Sequence, residues 1–595
     1  MQYYHTKSFI VIVKKPAGAE ETSSPTIMKN AGDQFCTYTS NDRSIEVVFK
    51  LRKNPSDTRP NISQDKVTLL LGDDYEWQES RGKSCMANSA VIDINLKEKK
   101  IRVLSSIVGL PAVFIYQSLN QTIITSDIYL LTKIRGLEIH FDYVGIQELC
   151  SIGHPTDCRT LFKNIRMIPS GSSMNINDLG EVQIRKIWDL PEENRLADWD
   201  VFTDLQIDAF QQAMSSLNLS KSFLSLTAGL DTRTILAALV QNKSFLPAYT
   251  MSGKIMSLDA RTSQGLCRAY GISHNLIEIN KEFYDNITDH IFEASRLSGG
   301  LTAIDQAHEV FFYKKIKNSF DARLSGNLGN QIGRRGTEKI SMRNANLRIL
   351  NKDIISSADH TYTDHWYQDI ESQNGDIDYQ FLIEKEIPFS SVANYSIGNH
   401  YVIQQSPYAN RKLIEFTQIM PKRADDEKQT SVLKMRLKDL KHRFLGESDV
   451  YSFQVKYIKK VDGLVASYPI NWGWRANGGV SVIGLFYGGL SFVDALVTSK
   501  VPRSKVIHGL LESTGIAGLH EYIYKKPILD RMGDFIYDLL LSDSMNAANV
   551  FDRKCIEQIL NEHYSHNKFH YKTISVALDI ACAQQVFKAQ SPARR

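Results

Sequence analysis

The chain has 595 residues, 43% of them hydrophobic and 23% charged, with a formal net charge of +4. That composition belongs to a globular protein long enough for more than one domain, and the charge is too small for the length to argue for nucleic acid or a membrane surface as partner. No apolar run approaches the roughly 18 residues of a transmembrane helix. The seven cysteines are scattered with no CxxC pair. This points to a reducing, cytoplasmic setting and away from a zinc site or a disulfide framework.

Residues 1–195 read as strand-rich. The opening stretch MQYYHTKSFIVIVKK has a short apolar run and no cleavage signature, and is read as a first strand. Short β-type runs lie at 8–14, 45–51, 66–71, 89–94, 101–105, 112–116 and 121–126, separated by turn residues such as Gly72-Asp73-Asp74. The segments 15–35 and 53–65 are polar loops. A helix is expected over 143–150, and a helical approach over 196–217 leads to the most informative stretch, Ser222 to Ala238. There an apolar strand, 223–226 and ending in Leu226, breaks at Thr227, Ala228 and Gly229. It resumes as a helix with Ile235, Leu236, Ala238 and Leu239 on one face. A turn from buried strand to helix N-terminus gathers backbone N–H groups and the positive end of the helix dipole, which suits phosphate. Asp231 in the first helical turn is placed to bind Mg²⁺ beside the phosphates. No Lys follows Gly229, so this is not a Walker loop.

Beyond the loop the chain alternates as a parallel α/β sheet does. Strands are expected at 246–251, 274–279 and 321–324. Helices are expected at 259–270, ended by Gly271, and at 281–296 and 306–318. The fourth strand ends in Ser325-Gly326-Asn327-Leu328-Gly329-Asn330-Gln331. Ligands in open α/β sheets bind beyond the carboxyl ends of the strands. Those ends, at Thr227, Met251-Ser252 and Ser325-Gly326, are expected around one crevice.

The loop Thr227-Ala228-Gly229-Leu230-Asp231-Thr232-Arg233 resembles the pyrophosphate loop of the asparagine synthetase family, usually SGGLDSS. Gly229, Leu230 and Asp231 are identical, Thr227 and Thr232 keep hydroxyls, and Ala228 and Arg233 depart. Thr250-Met251-Ser252 resembles the strand end that contacts adenine. Ser126-Asp127 and Leu161-Phe162 through Ser170-Gly171 resemble, loosely and in the right order, the family's N-terminal domain. The resemblance implies an Ntn-hydrolase-like, β-rich αββα domain over 1–195, followed over 196–595 by a parallel-sheet, adenine-nucleotide α-hydrolase-like synthetase domain with a helical C-terminal part. It implies ATP bound by Leu226, Thr227, Ala228, Gly229, Leu230, Asp231, Thr232, Arg233, Met251, Ser325 and Gly326, and Mg²⁺ on Asp231 and Asn330. Asp231, Asn327 and Asn330 are the implied catalytic positions. His274 is read as a structural histidine at a strand start.

The chain also departs from the family. Glutamine-using members carry Cys as the second residue, an N-terminal nucleophile. Here residue 2 is Gln, and no glutamine hydrolysis is expected. After the fourth strand the family reads SGEGSDE, whereas Asn327 and Asn330 stand where acids are usual. An amide can offer a carbonyl oxygen to Mg²⁺ but is no base at neutral pH. Arg334 and Arg335 either offset the missing metal charge or form a solvated pair. Lys456, Lys459 and Lys460 lie where a pyrophosphate lysine is usual, with at least two of them read as solvated. Trp472 and Trp474 either wall a substrate or anchor their loop.

The implied activity is an ATP-dependent amide ligase: a carboxylate attacks the α-phosphate, pyrophosphate leaves, and the acyl-adenylate is captured by an amine or ammonia. Its substrates would be a small-molecule or peptide carboxylate and an amine donor. The specialised relatives, namely β-lactam synthetases, lasso-peptide cyclases and sugar-acid amidating enzymes, fit better than a glutamine-dependent asparagine synthetase. The alternative is a non-catalytic descendant acting as a binding or scaffold subunit, as a homodimer or with a partner protein.

Overall fold

The computed structural model describes residues 4–14, 36–42, 44–51, 65–73, 86–253, 257–316, 319–333, 347–357, 379–421, 452–470, 475–478, 526–565 and 570–589. Residue 2, the loops at 15–35 and 53–64, Arg334, Arg335, Trp472, Trp474 and the tail 591–595 lie outside the described residues.

The first half is an antiparallel β structure. Its strands are β1 (Tyr4–Lys14), β2 (Cys36–Thr39), β3 (Ile45–Leu51), β4 (Lys66–Gly72), β5 (Ser89–Asn95), β6 (Lys100–Leu104), β7 (Phe114–Gln117), β8 (Gln121–Thr125), β9 (Ile165–Met167), β10 (Ser172–Ile176) and β11 (Val182–Lys186). They run in the order β11-β10-β6-β5-β4-β1-β8-β7-β9, with β3 on β1 and β2 on β3. β1 is the hinge of this arrangement. Its start pairs parallel with β4, its remainder pairs antiparallel with β3 and β8, and its register shifts between Thr6 and Ser8. The two limbs face each other. Phe9, Val11, Phe49 and Ile124 from one limb share an apolar core with Leu69, Ile92, Val103 and Met174 from the other. The run Phe9–Val13 is apolar without alternation because both faces are covered. Ile10 and Ile12 point the other way, into the cluster built by helices Tyr143–Ile152 and Tyr571–Phe587.

Two residues singled out in this half are structural. Asp127 caps the 3₁₀ turn Ile128–Lys133 by accepting from Tyr129 N–H at 3.0 Å. Burial pushes its carboxyl up, against the pull of Arg296 and the Tyr129 N–H. Gly171 has φ 60°, and a Cβ there would lie 3.0 Å from the Trp188 carbonyl, so both the turn and the indole require glycine.

The second half is a five-stranded parallel sheet: β12 (Ser222–Ser225), β13 (Ala248–Ser252), β14 (His274–Glu278), β15 (Ala322–Leu324) and β16 (Ile403–Gln405). The order is β14-β13-β12-β15-β16, with every ladder parallel. Helices Leu230–Gln241 and Leu258–Tyr270 cover one face through Leu236 and Leu266, packed with Leu224 and Ala248. Helices Ile287–Leu297, Ala307–Ile316 and Ile387–Tyr401 cover the other, around Phe223, Tyr249 and Met251. Gly271 ends its helix with φ 66°, as expected of a left-handed C-cap. The fifth strand and the strands β2, β9, β10 and β11 are additions to the sequence reading. The C-terminal region is helical, and no described helix is long and apolar enough to cross a membrane.

One apolar cluster runs from Ile10 to Ala589 and joins the halves. Phe162 and Phe587 pack in a tilted pair with ring centroids 4.7 Å apart. Asn88 Nδ2 donates to the Gln404 carbonyl at 3.0 Å, and Gln405 Nε2 to Asp73 at 2.9 Å.

Candidate functional site

The strand order reverses between β12 and β15, and both strands end beside each other. The loop after β12 turns at Thr227, Ala228 and Gly229 into helix Leu230–Gln241, whose N-terminus carries no side-chain cap. The loop after β15 returns against it. A Cβ at Gly326 would lie 2.6 Å from Asp231 Cβ and 3.1 Å from Thr232 N, and one at Gly329 would lie 2.6 Å from Asp231 Oδ1. Both glycines are therefore fixed by the approach of a carboxylate-bearing turn.

Much of the loop is held from within. Thr227 N–H donates to Thr232 Oγ1 at 3.1 Å, Gly229 N–H to Thr227 Oγ1 at 3.2 Å, and Ala228 N–H to Asp259 Oδ1 at 2.7 Å. Leu226 is tied on both sides. Its N–H reaches the Tyr249 carbonyl at 3.0 Å, and its carbonyl accepts from Thr250 Oγ1 at 2.7 Å and Ser263 Oγ at 3.2 Å. Leu226 thus anchors the loop. The side chains of Leu226, Ala228 and Leu230 are buried, so only their backbones could meet a ligand.

Arg233 corrects the sequence expectation. Its side chain is fully buried, and its guanidinium donates to the carbonyls of Ala228 at 3.0 Å, Tyr468 at 2.6 Å and Pro469 at 2.7 Å. It braces the loop from beneath and offers no cation to phosphate. Burial lowers it to about 9 while Asp259 pulls the other way, which leaves it charged at neutral pH. Burial raises the Asp259 carboxyl, against the Ala228 N–H and Arg233.

Asp231 is half-buried at the mouth of this arrangement. Gln454 Nε2 donates to its Oδ1 at 2.7 Å, and the Tyr408 hydroxyl donates to its carbonyl at 3.0 Å. Gln454 also donates to the Tyr408 oxygen at 3.1 Å. Asn327 is fastened through its carbonyl, which accepts from Ser406 Oγ at 2.5 Å. Ser325 is buried, with its N–H on the Gln405 carbonyl at 3.0 Å. Asn330 is half-exposed in the short helix Gly329–Gly333, one residue beyond the glycine packed on Asp231. Met251 ends its strand on the opposite face of the sheet, packed toward Phe223 and Phe312, away from the Asp231 side. His274 is a packing residue: its Nε2 meets Thr250 Oγ1 at 3.0 Å, and burial lowers its ring.

None of the three lysines is aimed at the loop. Lys456 pairs with Asp200 at 3.2 Å and Asp204 at 3.1 Å, and Lys459 and Lys460 lie exposed in the last turn of the helix Ser452–Val461. The residue of that helix that reaches Asp231 is Gln454. Asp259, Gln454, Tyr408 and Ser406 were not singled out from sequence. Helical spacing could have found Gln454, since Phe453, Gln454, Tyr457 and Ile458 repeat at the interval of a buried face.

Among the described residues no group of three or more His, Cys, Asp or Glu is placed to hold a metal. A nucleotide-borne Mg²⁺ needs less, because it keeps several waters and takes one or two carboxylates beside the phosphates. Asp231 supplies one carboxylate. Gln454 Oε1, buried and without a hydrogen-bond partner, is an oxygen that a hard cation or its water would complete. The donor set thus fits Mg²⁺ delivered with phosphate, not a metal cage built by protein alone.

No family profile matches the chain, and no curated protein matches it. Two solved structures are similar to part of it. The glutamine phosphoribosylpyrophosphate amidotransferase from B. subtilis, complexed with ADP and GMP, is 9% identical over 46% of this chain and 60% of its own, with a TM-score of 0.17. A structure described as the allosteric regulatory enzyme of purine biosynthesis is 6% identical over 46% of this chain and 75% of its own, with a TM-score of 0.17. The chain thus spans less than two thirds of the length of the B. subtilis enzyme. Superpositions at this TM-score carry no argument about fold or function.

Proposed function

We propose that this chain is an ATP-dependent carbon–nitrogen ligase that activates a carboxylate with release of AMP and pyrophosphate and couples it to an amine or ammonia. The observation that carries the reading is the closure of two strand-end loops on Asp231 at the point where the parallel sheet reverses its order. In this reading the uncapped turn at Leu230, Asp231 and Thr232 receives phosphate, and Asp231, with Gln454 and Asn330 near it, holds Mg²⁺. ATP supplies the phosphoanhydride that makes a carboxylate reactive. The residues of the chain orient the phosphates, hold the charge of the leaving group and exclude water. Asn327 and Asn330 contribute amide oxygens and N–H groups there, and no base.

A second reading is a non-catalytic chain acting as a binding or scaffold subunit. It is favoured by the internal partners of the loop: the Asp259 carboxylate on Ala228 N–H and the Gln454 amide on Asp231. Calorimetry with Mg-ATP comes first, on wild type and Asp231→Ala. Micromolar binding that is lost in the variant supports the site, and pyrophosphate release with a panel of carboxylic acids then separates ligase from scaffold. Absence of binding in the wild type would rule out the ligase and favour the scaffold reading.

A further inference from the structure

Among the described residues β11 is the outer edge of the antiparallel sheet, paired there with β10 alone. The phase of that ladder decides which backbone groups face outward. Ile187 N–H donates to the Gly171 carbonyl at 2.9 Å, and Asn177 N–H to the Glu181 carbonyl at 3.2 Å. Gln183 stands opposite Asn175, and Arg185 opposite Ser173. Glu181, Gln183 and Arg185 therefore spend their backbone groups on β10, and Val182, Ile184 and Lys186 turn theirs outward. An edge of this kind is a template for another strand. Apolar residues are exposed on it among the polar ones: Ile184 is 43% exposed and Ile187 44%.

We infer that β11 pairs antiparallel with β11 of a second copy about a two-fold axis at Gln183, joining two chains into one continuous sheet. In this register Val182 of one copy faces Ile184 of the other, and both have outward backbone groups, so they exchange hydrogen bonds. Glu181 faces Arg185 in the closer, non-hydrogen-bonded geometry, which favours an opposite-charge pair. Ile184, exposed in the single chain, is thereby covered by Val182 of the other copy. The symmetry makes each pairing occur twice. A slip that centres the axis on Ile184 puts Glu181 opposite Ile187, Gln183 opposite Arg185 and Val182 opposite Lys186, losing both the ion pair and the Val182–Ile184 match. The cation at Arg185, which discourages indiscriminate strand addition, thus selects a partner carrying an acid four residues ahead of its own arginine, while Lys186 is already paired with Asp189 and Glu384. A second copy is such a partner.

Sedimentation velocity of the full chain over a concentration series tests this. The wild type is expected to dimerise. Arg185→Glu and Glu181→Arg, each alone, set like charges opposite each other twice and weaken the dimer by roughly tenfold or more. An equimolar mixture of the two variants restores association, because each then meets its opposite charge; a folding defect in either would not be rescued by mixing. Gln183→Cys is expected to give a disulfide-linked dimer under mild oxidation, since the Cα atoms of such a facing pair lie about 4.5 Å apart, within disulfide reach. A wild type monomeric up to about 100 µM, well above the range of a specific interface, would overturn the inference. So would a dimer indifferent to both charge reversals, or a mixture no tighter than its components.

Discussion

Arg233 carries a charge into a fully buried position, and three backbone carbonyls repay its desolvation. Its substitution strands those carbonyls beneath the loop. Arg233→Met is expected to lower stability by about 3 kcal/mol or more, read from the urea midpoint. Lysine is expected to recover only part of this, because one ammonium cannot span carbonyls from both segments. His290 gives a pH signature. It is buried between Phe283 and Phe311 at 5.7 and 5.6 Å, with the Lys314 ammonium 3.5 Å from Nδ1. Burial first, and Lys314 second, lower it from 6.5 to about 4. The unfolded chain then binds the proton more tightly than the folded one. The stability of the neutral buried ring is present above pH 6.5, is lost as pH falls toward 4 and levels off below that. His290→Gln is expected to flatten this part of a stability-against-pH curve. Asp231→Asn keeps the shape and removes the charge, so under the proposed function it should abolish Mg-ATP binding while leaving thermal stability nearly unchanged, which separates metal binding from packing.

At the scale of elements, the two loops act as one device because glycine lets them touch. Gly329→Ala would push a methyl within 2.6 Å of Asp231 Oδ1, and Gly326→Ala would push one equally close to Asp231 Cβ. Each is expected to cost about 1–3 kcal/mol through overpacking and to weaken nucleotide binding by displacing Asp231. Gly463→Ala, where nothing lies within 4 Å, is the control, expected to stay within about 0.5 kcal/mol. Thermal melts and calorimetry on the three variants check this. The same elements explain what was legible from sequence. The strands at 223–226, 246–251, 274–279 and 321–324 stand within a few residues of β12 to β15, since each is a short apolar run bounded by turns. β16 was not legible. Ile403, Gln404 and Gln405 have no apolar run, and their glutamines are buried only because Tyr313 and Asp73 are there to bond them at 3.2 and 2.9 Å.

At the scale of the whole molecule, the halves share a core. Ile10, Ile12, Phe114, Ile123 and Phe162 from the first half share one apolar cluster with the helix Tyr571–Phe587 from the C-terminal region, which meets Phe162 through Phe587. A fragment of residues 1–195 would expose that face to water. It is expected to aggregate or to lack a cooperative melt, and the full chain to unfold both halves together. Phe587→Ala, which removes the ring packed against Phe162, should cost about 3–5 kcal/mol and lower the transition of both halves, followed by fluorescence and calorimetry. Two separate transitions, with only one moved, would show that the halves are independent.

Sequence by itself determined those elements that carry an apolar run or helical period bounded by turns, and their order, because periodicity, glycines and capping residues act over a few neighbours. Phe223 to Leu226 had to be a buried strand, Gly271 a helix stop, and Asp231 the acid of a helix's first turn. Only the tertiary structure decided which residues meet. It turned Arg233 inward, put Asp259 on the loop's N–H, aimed Gln454 rather than a lysine at Asp231, and bonded His274 to Thr250. Those contacts join residues up to 236 positions apart. They depend on how helices rotate as they pack, and local pattern carries no record of a partner's rotation.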